Sequence, residues 1–362
     1  MKRWLEELGP LFGLILVWSL FAALRPGEFA TWENQRLMLL QTAVVGIAAV
    51  GATFIIVSGG IDLSVGSTIA LGTVVIALLL EAGAPVTVAA LGGVFVGVAV
   101  GFTLGSLVVG RVGSALGLFG AVAVSWVTWE QFGPLGALAC GVAVAVAIAL
   151  LGGRVFPRLP LAPFIVTLGA WGALRGMAKG LGDNQPVYPD ELGWLGDVMF
   201  VGKSGLTSVL PPGVLLFLAT ALVAGVVLAR TRFGRHVFAI GSNEETARLC
   251  GVRVERTKLL VYIVGVGCAG LAAILQFGYL SIGDPTTAEG YELRVIAAVV
   301  IGGASLTGGE GSIRGTLVGA LIMTVVDNGC TKLGLDNWVQ EVATGGIIVT
   351  AVALDRLRHR AS

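Results

Sequence analysis

Few side chains in this sequence are placed for covalent chemistry. Gly202-Lys203-Ser204 would close a phosphate-binding loop if a glycine stood five positions before Gly202, but that position is Asp197. ATP hydrolysis by the chain is therefore excluded as a reading. His236 and His359, the two histidines, stand beside no serine or cysteine that would act as a nucleophile. Cys140, Cys250, Cys268 and Cys330 show no CxxC spacing, so neither a zinc site nor a disulfide framework can be written. No catalytic residue and no metal ligand set is expected.

The polar residues that remain are informative because of their surroundings. Asp62 lies between two apolar runs in IIVSGGIDLSVGSTIALG. An ionised carboxylate at the centre of a bilayer costs at least about 2.5–3.5 kcal/mol unless solvated or paired. Two compatible roles follow. Asp62 caps a helix that begins near Leu63, or the Gly59-Gly60 break and Asp62 line a translocation path, where irregular backbone is tolerated at membrane depth. Asn184, Gln185, Glu292 and Asn328 complete the polar candidates for such a path, each with a plain alternative as a helix cap or loop residue.

The elements that must position these groups are membrane helices. Hydrophobic residues make up 56% of the chain and charged residues 12%, with 55 glycines in 362 residues, the profile of a polytopic membrane protein. Apolar runs predict spans near 9–24, 36–57, 64–80, 86–109, 115–131, 133–151, 163–181, 210–229, 258–281, 313–331 and 339–355. The piece 292–304 is too brief for a full span and ends in the glycine-rich GGASLTGGEGS, which reads as a broken helix. The expected fold is an all-α transmembrane bundle of about 10–12 helices, short or broken ones included, in a single transmembrane domain over 1–362. The basic, apolar N-terminus reads as a retained first helix rather than a cleaved signal. Gly302-Gly303, Ser305-Leu306 and Gly311-Ser312 loosely echo Gly59-Gly60, Asp62-Leu63-Ser64 and Gly66-Ser67. That echo suggests two related halves, parallel or inverted. Gly97, Gly101 and Gly105, at four-residue spacing, read as a packing face for a neighbouring helix.

Charge placement orients the bundle. The net charge of +1 gives no reason to expect a nucleic-acid partner. With Lys2 and Arg3 inside, the positive-inside rule collects Arg111, Arg154, Arg158, the 230–258 loop, Arg356, Arg358 and Arg360 on the cytoplasmic side. Both termini are then cytoplasmic, and 182–209 faces the other side as a connector or a landing surface. In the basic loop, Glu245-Thr246-Ala247 with Gly251 beyond predicts a short helix with a small-residue face and a glycine stop. Taken alone it is either a solvated turn or a docking element. An ion-coupled secondary carrier would need carboxylates deep in its spans, and a receptor-like membrane protein would move nothing.

Four segments in order carry a resemblance. GGIDLSVGS at 59–67, PFIVTLG with Arg175-Gly176, GRHVFAIGSNEETARLCGV at 234–252 and GYELRVIAAVVIGGASLTGGEGSIRGTLVGAL at 290–321 resemble the sugar permeases of bacterial ABC importers, for ribose, xylose, galactose, arabinose and similar solutes. The resemblance implies a permease of the inner membrane with no chemistry or cofactor of its own. ATP and Mg would be used by a cytoplasmic ATPase subunit. A periplasmic sugar-binding protein would deliver the solute, and a second permease copy or a paralogue would complete the membrane pair amid membrane lipid. It assigns Gly241, Asn243, Glu245, Ala247, Arg248 and Gly251 to ATPase contact. Two positions depart from the family pattern, Arg294 after GYEL and Asp327 before Asn328-Gly329, and the solute stays open, a nucleoside included. The stretch 85–130 is longer than in ribose-type members, which implies an extra helix pair as in xylose-type ones.

Overall fold

The computed structural model describes residues 2–115, 159–200 and 210–360, with scattered positions between 117 and 148. Fourteen helices lie among the described residues: α1 (Lys2–Leu24), α2 (Pro26–Phe29), α3 (Trp32–Val57), α4 (Val65–Glu81), α5 (Val86–Val108), α6 (Pro163–Leu181), α7 (Trp194–Asp197), α8 (Pro212–Arg230), α9 (Arg232–Ser242), α10 (Glu244–Leu249), α11 (Val254–Leu280), α12 (Tyr291–Ile301), α13 (Ile313–Lys332) and α14 (Asn337–Arg360). The all-α expectation holds. Four helices, α3, α5, α8 and α11, are long and apolar enough to cross a membrane on length and composition. The expected spans at 115–131 and 133–151, with them much of the proposed extra pair, and Gly202-Lys203-Ser204 lie outside the described residues.

The centre is built on α3 and α11. From Thr42 to Val57 every residue of α3 is buried, so it carries apolar or small residues on all sides instead of one stripe. Glycines set the approach of its neighbours. A Cβ at Gly265 of α11 would fall 2.6 Å from Ile55 Cδ1 of α3. On the other side of α11, a Cβ at Gly97 of α5 would fall 2.6 Å from the Val266 carbonyl, and one at Gly105 would press on Leu259 and Tyr262. The Gly97/Gly101/Gly105 ridge is thus the seam between α5 and α11, as its spacing predicts; such close backbone contact supplies dispersion where lipid gives no hydrophobic drive.

The chain is interrupted inside this bundle. Gly72 of α4 faces Gly93 of α5 in antiparallel packing. Counting seven residues from each, Val65 stands level with residue 100 of α5, about 12 Å short of that helix's end at Val108. The helix α4 therefore begins at membrane depth, and residues 58–64 climb to it without regular structure. A second irregular segment descends beside it. A Cβ at Gly283 would stand 2.9 Å from the Thr73 carbonyl, near the far half of α4, whereas Ala288 and Glu292 already press on Gly66. The helix α12 starts there, after Gly290 at φ 76°. Its 11 residues rise about 16 Å, half of a ~30 Å hydrocarbon core, which explains why 292–304 looked too short to span. Residues 302–312 complete the passage with positive φ at Gly303, Gly308, Gly309 and Gly311.

Candidate functional site

The first site lies where the α9–α10 loop meets the bundle. The helix α9 begins at Thr231, whose hydroxyl accepts from Gly234 N at 3.2 Å, and it buries Val237 and Ile240. Asn243 ends α9 and caps α10, its Oδ1 accepting from Thr246 N at 2.8 Å. Gly251, at φ 83°, ends the loop helix as expected. Ala247 is buried against Ile240 and Val254, so it packs α10 down and presents nothing outward. Glu245, Arg248, Leu249 and Cys250 face out, Leu249 at 88% exposure.

Gly241 is placed differently from the rest of that set. A Cβ on it would collide with the carbonyl oxygen of Val57, the last residue of α3, and stand 2.5 Å from the amide of Gly309. Gly309 N donates to Val57 O at 2.9 Å, and a Cβ at Gly308 would lie 2.9 Å from both Gly241 O and Gly59 Cα. The end of α9 is thus in main-chain contact with both broken segments at once. The two glycine-rich motifs that echo one another in sequence meet here in space.

Glu244, which sequence reasoning passed over for Glu245, is what fastens the loop helix. Its carboxylate accepts from Lys258 Nζ on α11 and from Arg248 Nη2 at 3.3 Å. Partial burial opposes ionisation of Glu244, but the hydrogen bonds and charges of Lys258 and Arg248 outweigh it and hold its pKa below the ordinary carboxylate value. A group with a lowered pKa stabilises the fold above its ordinary value and loses that contribution as the pH falls through the lowered one. The (i, i+4) spacing to Arg248 was visible in the sequence; the partner on α11 was not. Arg111, at the end of α5, reaches Glu255 at 3.6 Å, so this basic residue shares the α9–α10 end of the bundle.

The second site is the polar centre at the start of α4. Asp62, 3% exposed, accepts from Ser64 N at 2.8 Å and from Ser64 Oγ at 2.7 Å. Asp62 thus closes a turn onto Ser64, the residue that precedes α4, and the expected cap is not made: α4 starts without a side-chain cap. Ile61 O accepts from Thr167 of α6 at 3.2 Å. Glu292, 6% exposed, lies where a Cβ on Gly66 would stand 2.5 Å from its Oε1, so two carboxylates flank the first turn of α4. Tyr262 of α11 joins them, its hydroxyl 2.8 Å from where a Cβ on Gly60 would be. Ser67 Oγ, Asp62 Oδ2, Tyr262 Oη and Glu292 Oε1 are buried without a hydrogen-bond partner, an unusual concentration of unused polar capacity. Arg175 of α6 donates to the carbonyls of Pro285 and Thr287 at 2.9 and 2.7 Å and so braces the descending segment. Arg175 and Tyr262 were not among the sequence candidates; only the Arg175-Gly176 of the resemblance hinted at the first.

The other candidates for a path do not join that centre. Asn184, at φ 58°, and Gln185 form the exposed turn that ends α6. They stand beside the bridge in which Val187 and Gly283 exchange backbone hydrogen bonds of 2.8 and 2.9 Å. Asn328 is buried in a reciprocal amide pair with Asn34 of α3, at 2.8 and 3.1 Å, while Asn34 also donates to Phe29 O at 3.0 Å. Asn328→Ala is expected to lower thermal stability by about 1–2 kcal/mol, read as the melting midpoint in detergent. If the midpoint held and solute flux fell instead, Asn328 would line the route. At the preceding residue of α13, Arg294 Nη1 meets Asp327 Oδ2 at 3.0 Å, with the guanidinium 5.6 Å from the Tyr291 ring centroid. Arg294 and Asp327, each singled out separately in the sequence, are therefore partners. No group of metal-ligating side chains occurs among the described residues, and the four cysteines are free.

The profile of a family described as "Branched-chain amino acid transport system / permease component" matches residues 112–352. The chain belongs to this family of permease components. The ribose import permease protein of Escherichia coli strain K12 is 33% identical over 364 residues, covering 99% of this chain and 96% of that protein. The D-allose transport system permease protein of the same strain is 31% identical over 353 residues, with 97% and 92% covered. The xylose transport system permease protein of Haemophilus influenzae is 30% identical over 401 residues, with 95% and 94% covered. No solved structure matches the chain. A permease component is the membrane part of an ABC transport system, and ATP is hydrolysed by another subunit of that system.

Proposed function

We propose that this permease is the membrane path of an ATP-driven importer for a monosaccharide or a related small polar solute. A soluble binding protein delivers the solute on the outer face of the inner membrane. Both termini and the α9–α10 loop are cytoplasmic, and the loop receives the ATPase. The permease works as a pair, with a second copy or a paralogue. The names of the relatives support the solute class, and the run of Arg111, Arg230, Arg232, Arg235, Arg248 and Arg253 at one end of the bundle supports the orientation.

The observation that carries the mechanism is the main-chain contact of Gly241 with Val57 and Gly309. A push on α10 is passed through α9 to the two segments that interrupt the bundle at membrane depth. The polar centre of Asp62, Ser67, Tyr262 and Glu292 stands at the head of those segments, where unused donors and acceptors can replace the water of a passing hydroxylated solute. Access then alternates as the segments move between the two faces.

The loop gives a test that separates docking from folding. In liposomes holding permease, ATPase and binding protein, Glu245→Ala with Arg248→Ala is expected to cut ATP-driven uptake and complex assembly at least tenfold while the isolated permease loses only the ~0.3–0.5 kcal/mol of the exposed Arg248–Glu244 pair. Glu244→Ala is expected to lower the melting midpoint as well, because it frees Lys258 and Arg248 together. Uptake that survived removal of ATP with a proton gradient in place would overturn the importer reading in favour of an ion-coupled carrier.

A further inference from the structure

A groove of about 730 Å³ runs between α8 and α13 and ends at α9. Leu218, Leu222 and Val226 form one wall, 46%, 70% and 52% exposed, and Leu317 stands on the other. Gly225 keeps the floor low, since a Cβ there would meet only Ile313, at 3.9 Å. From Leu218 to Arg230 is twelve residues, about 18 Å along α8, which matches one leaflet's half of a ~30 Å hydrocarbon core with its interface.

The charged end decides what fits. Arg230 and Arg314 stand at the same rim of the groove, both exposed. Among the described residues neither has a carboxylate partner. Arg314 also lies in the first turn of α13, whose amide end favours negative charge. Two guanidinium groups beside an apolar trough of one-leaflet length fit a phosphodiester carried on acyl chains. We propose that this groove binds an anionic glycerophospholipid of the leaflet on the α9–α10 side. Its acyl chain lies along α8 and its phosphate bridges the two arginines. The bound lipid touches Phe238 of α9 and Gly311-Ser312 at the end of the second broken segment, so it sits against the elements that join at Gly241. This holds whichever solute is carried.

The test uses the intact permease in its complex. Native mass spectrometry and lipid exchange would compare phosphatidylglycerol with phosphatidylcholine on the wild type, on Arg230→Gln/Arg314→Gln, on Arg230→Lys/Arg314→Lys and on Leu222→Trp. The wild type is expected to retain phosphatidylglycerol preferentially. The glutamine pair is expected to lose about thirtyfold in affinity, the lysine pair to keep most of it, and Leu222→Trp to weaken binding with both charges intact. Equal retention of the two lipids by the wild type, or unchanged retention by the glutamine pair, would show an ordinary lipid annulus and overturn the proposal. Disulfide cross-linking of Leu222→Cys to a second permease copy in the membrane would overturn it too, by making the groove an interface between subunits.

Discussion

Replacing Gly241 with valine is expected to reduce ATP-driven uptake to background while the ATPase still binds. The substituted Cβ would have to leave the Val57 carbonyl and the Gly309 amide, the latter only 2.5 Å away. Ordinary contact needs about 3.5 Å, so the end of α9 must retreat by about 1 Å from Gly309 and by more from the Val57 carbonyl, which lies closer still. Overpacking of this kind costs about 3 kcal/mol at the upper end of its usual range. The outward-facing Glu245, Arg248 and Leu249 are untouched, so assembly and ATP hydrolysis should persist without flux. Gly251→Ala is the control. Gly251 has φ 83° and nothing within 4 Å of a Cβ, so the change costs only the ~1 kcal/mol of a left-handed alanine and leaves the junction in place. Uptake by Gly241→Val above half the wild-type rate would show that force does not pass through this contact.

Asp327→Asn is expected to destabilise the permease by about 3 kcal/mol, among the larger losses available to a single change. Arg294 and Asp327 are 29% and 18% exposed in their side chains and meet at 3.0 Å within the α12–α13 pair. Neutralising one partner leaves a guanidinium charge among apolar helices, where it is costly. Neutralising both should not. Arg294→Leu with Asp327→Leu is expected to melt near the wild-type midpoint or above it, because the desolvation of two charges disappears along with their attraction. Arg294→Leu alone should be nearly as damaging as Asp327→Asn. The cycle is read as melting midpoints in lipid nanodiscs, and a double variant that loses the sum of the two single losses would show that the two residues act separately.

Much of the bundle was legible because a lipid-facing or fully buried helix must be apolar along its length, and that is a composition signal. The spans at 36–57, 86–109 and 258–281 appear as α3, α5 and α11 within a few residues. The 97/101/105 ridge was legible for the same reason, as a repeat within one helix. What resisted reading was anything settled by two distant segments. Asn328 looked like a lone polar residue, and its amide partner Asn34 is 294 positions away. Arg294 and Asp327 each stood out singly, but nothing in a linear sequence joins them. Gly241 looked like a surface residue of the docking loop, because its burial against Val57 exists only once α3 and α9 are packed. Glu244 and Glu245 are neighbours in a short helix, and which of them faces α11 depends on the rotation that Asn243 imposes through its cap.

At Gly66 the two interrupted passages come together as main chain: the first turn of α4 lies against the Ala288 carbonyl and Glu292, with no room for even a methyl group between them. Each passage therefore fixes the place of the other: a shift of residues 283–292 would carry the start of α4 with it, and any side chain grown at Gly66 would act as a wedge that holds the two apart.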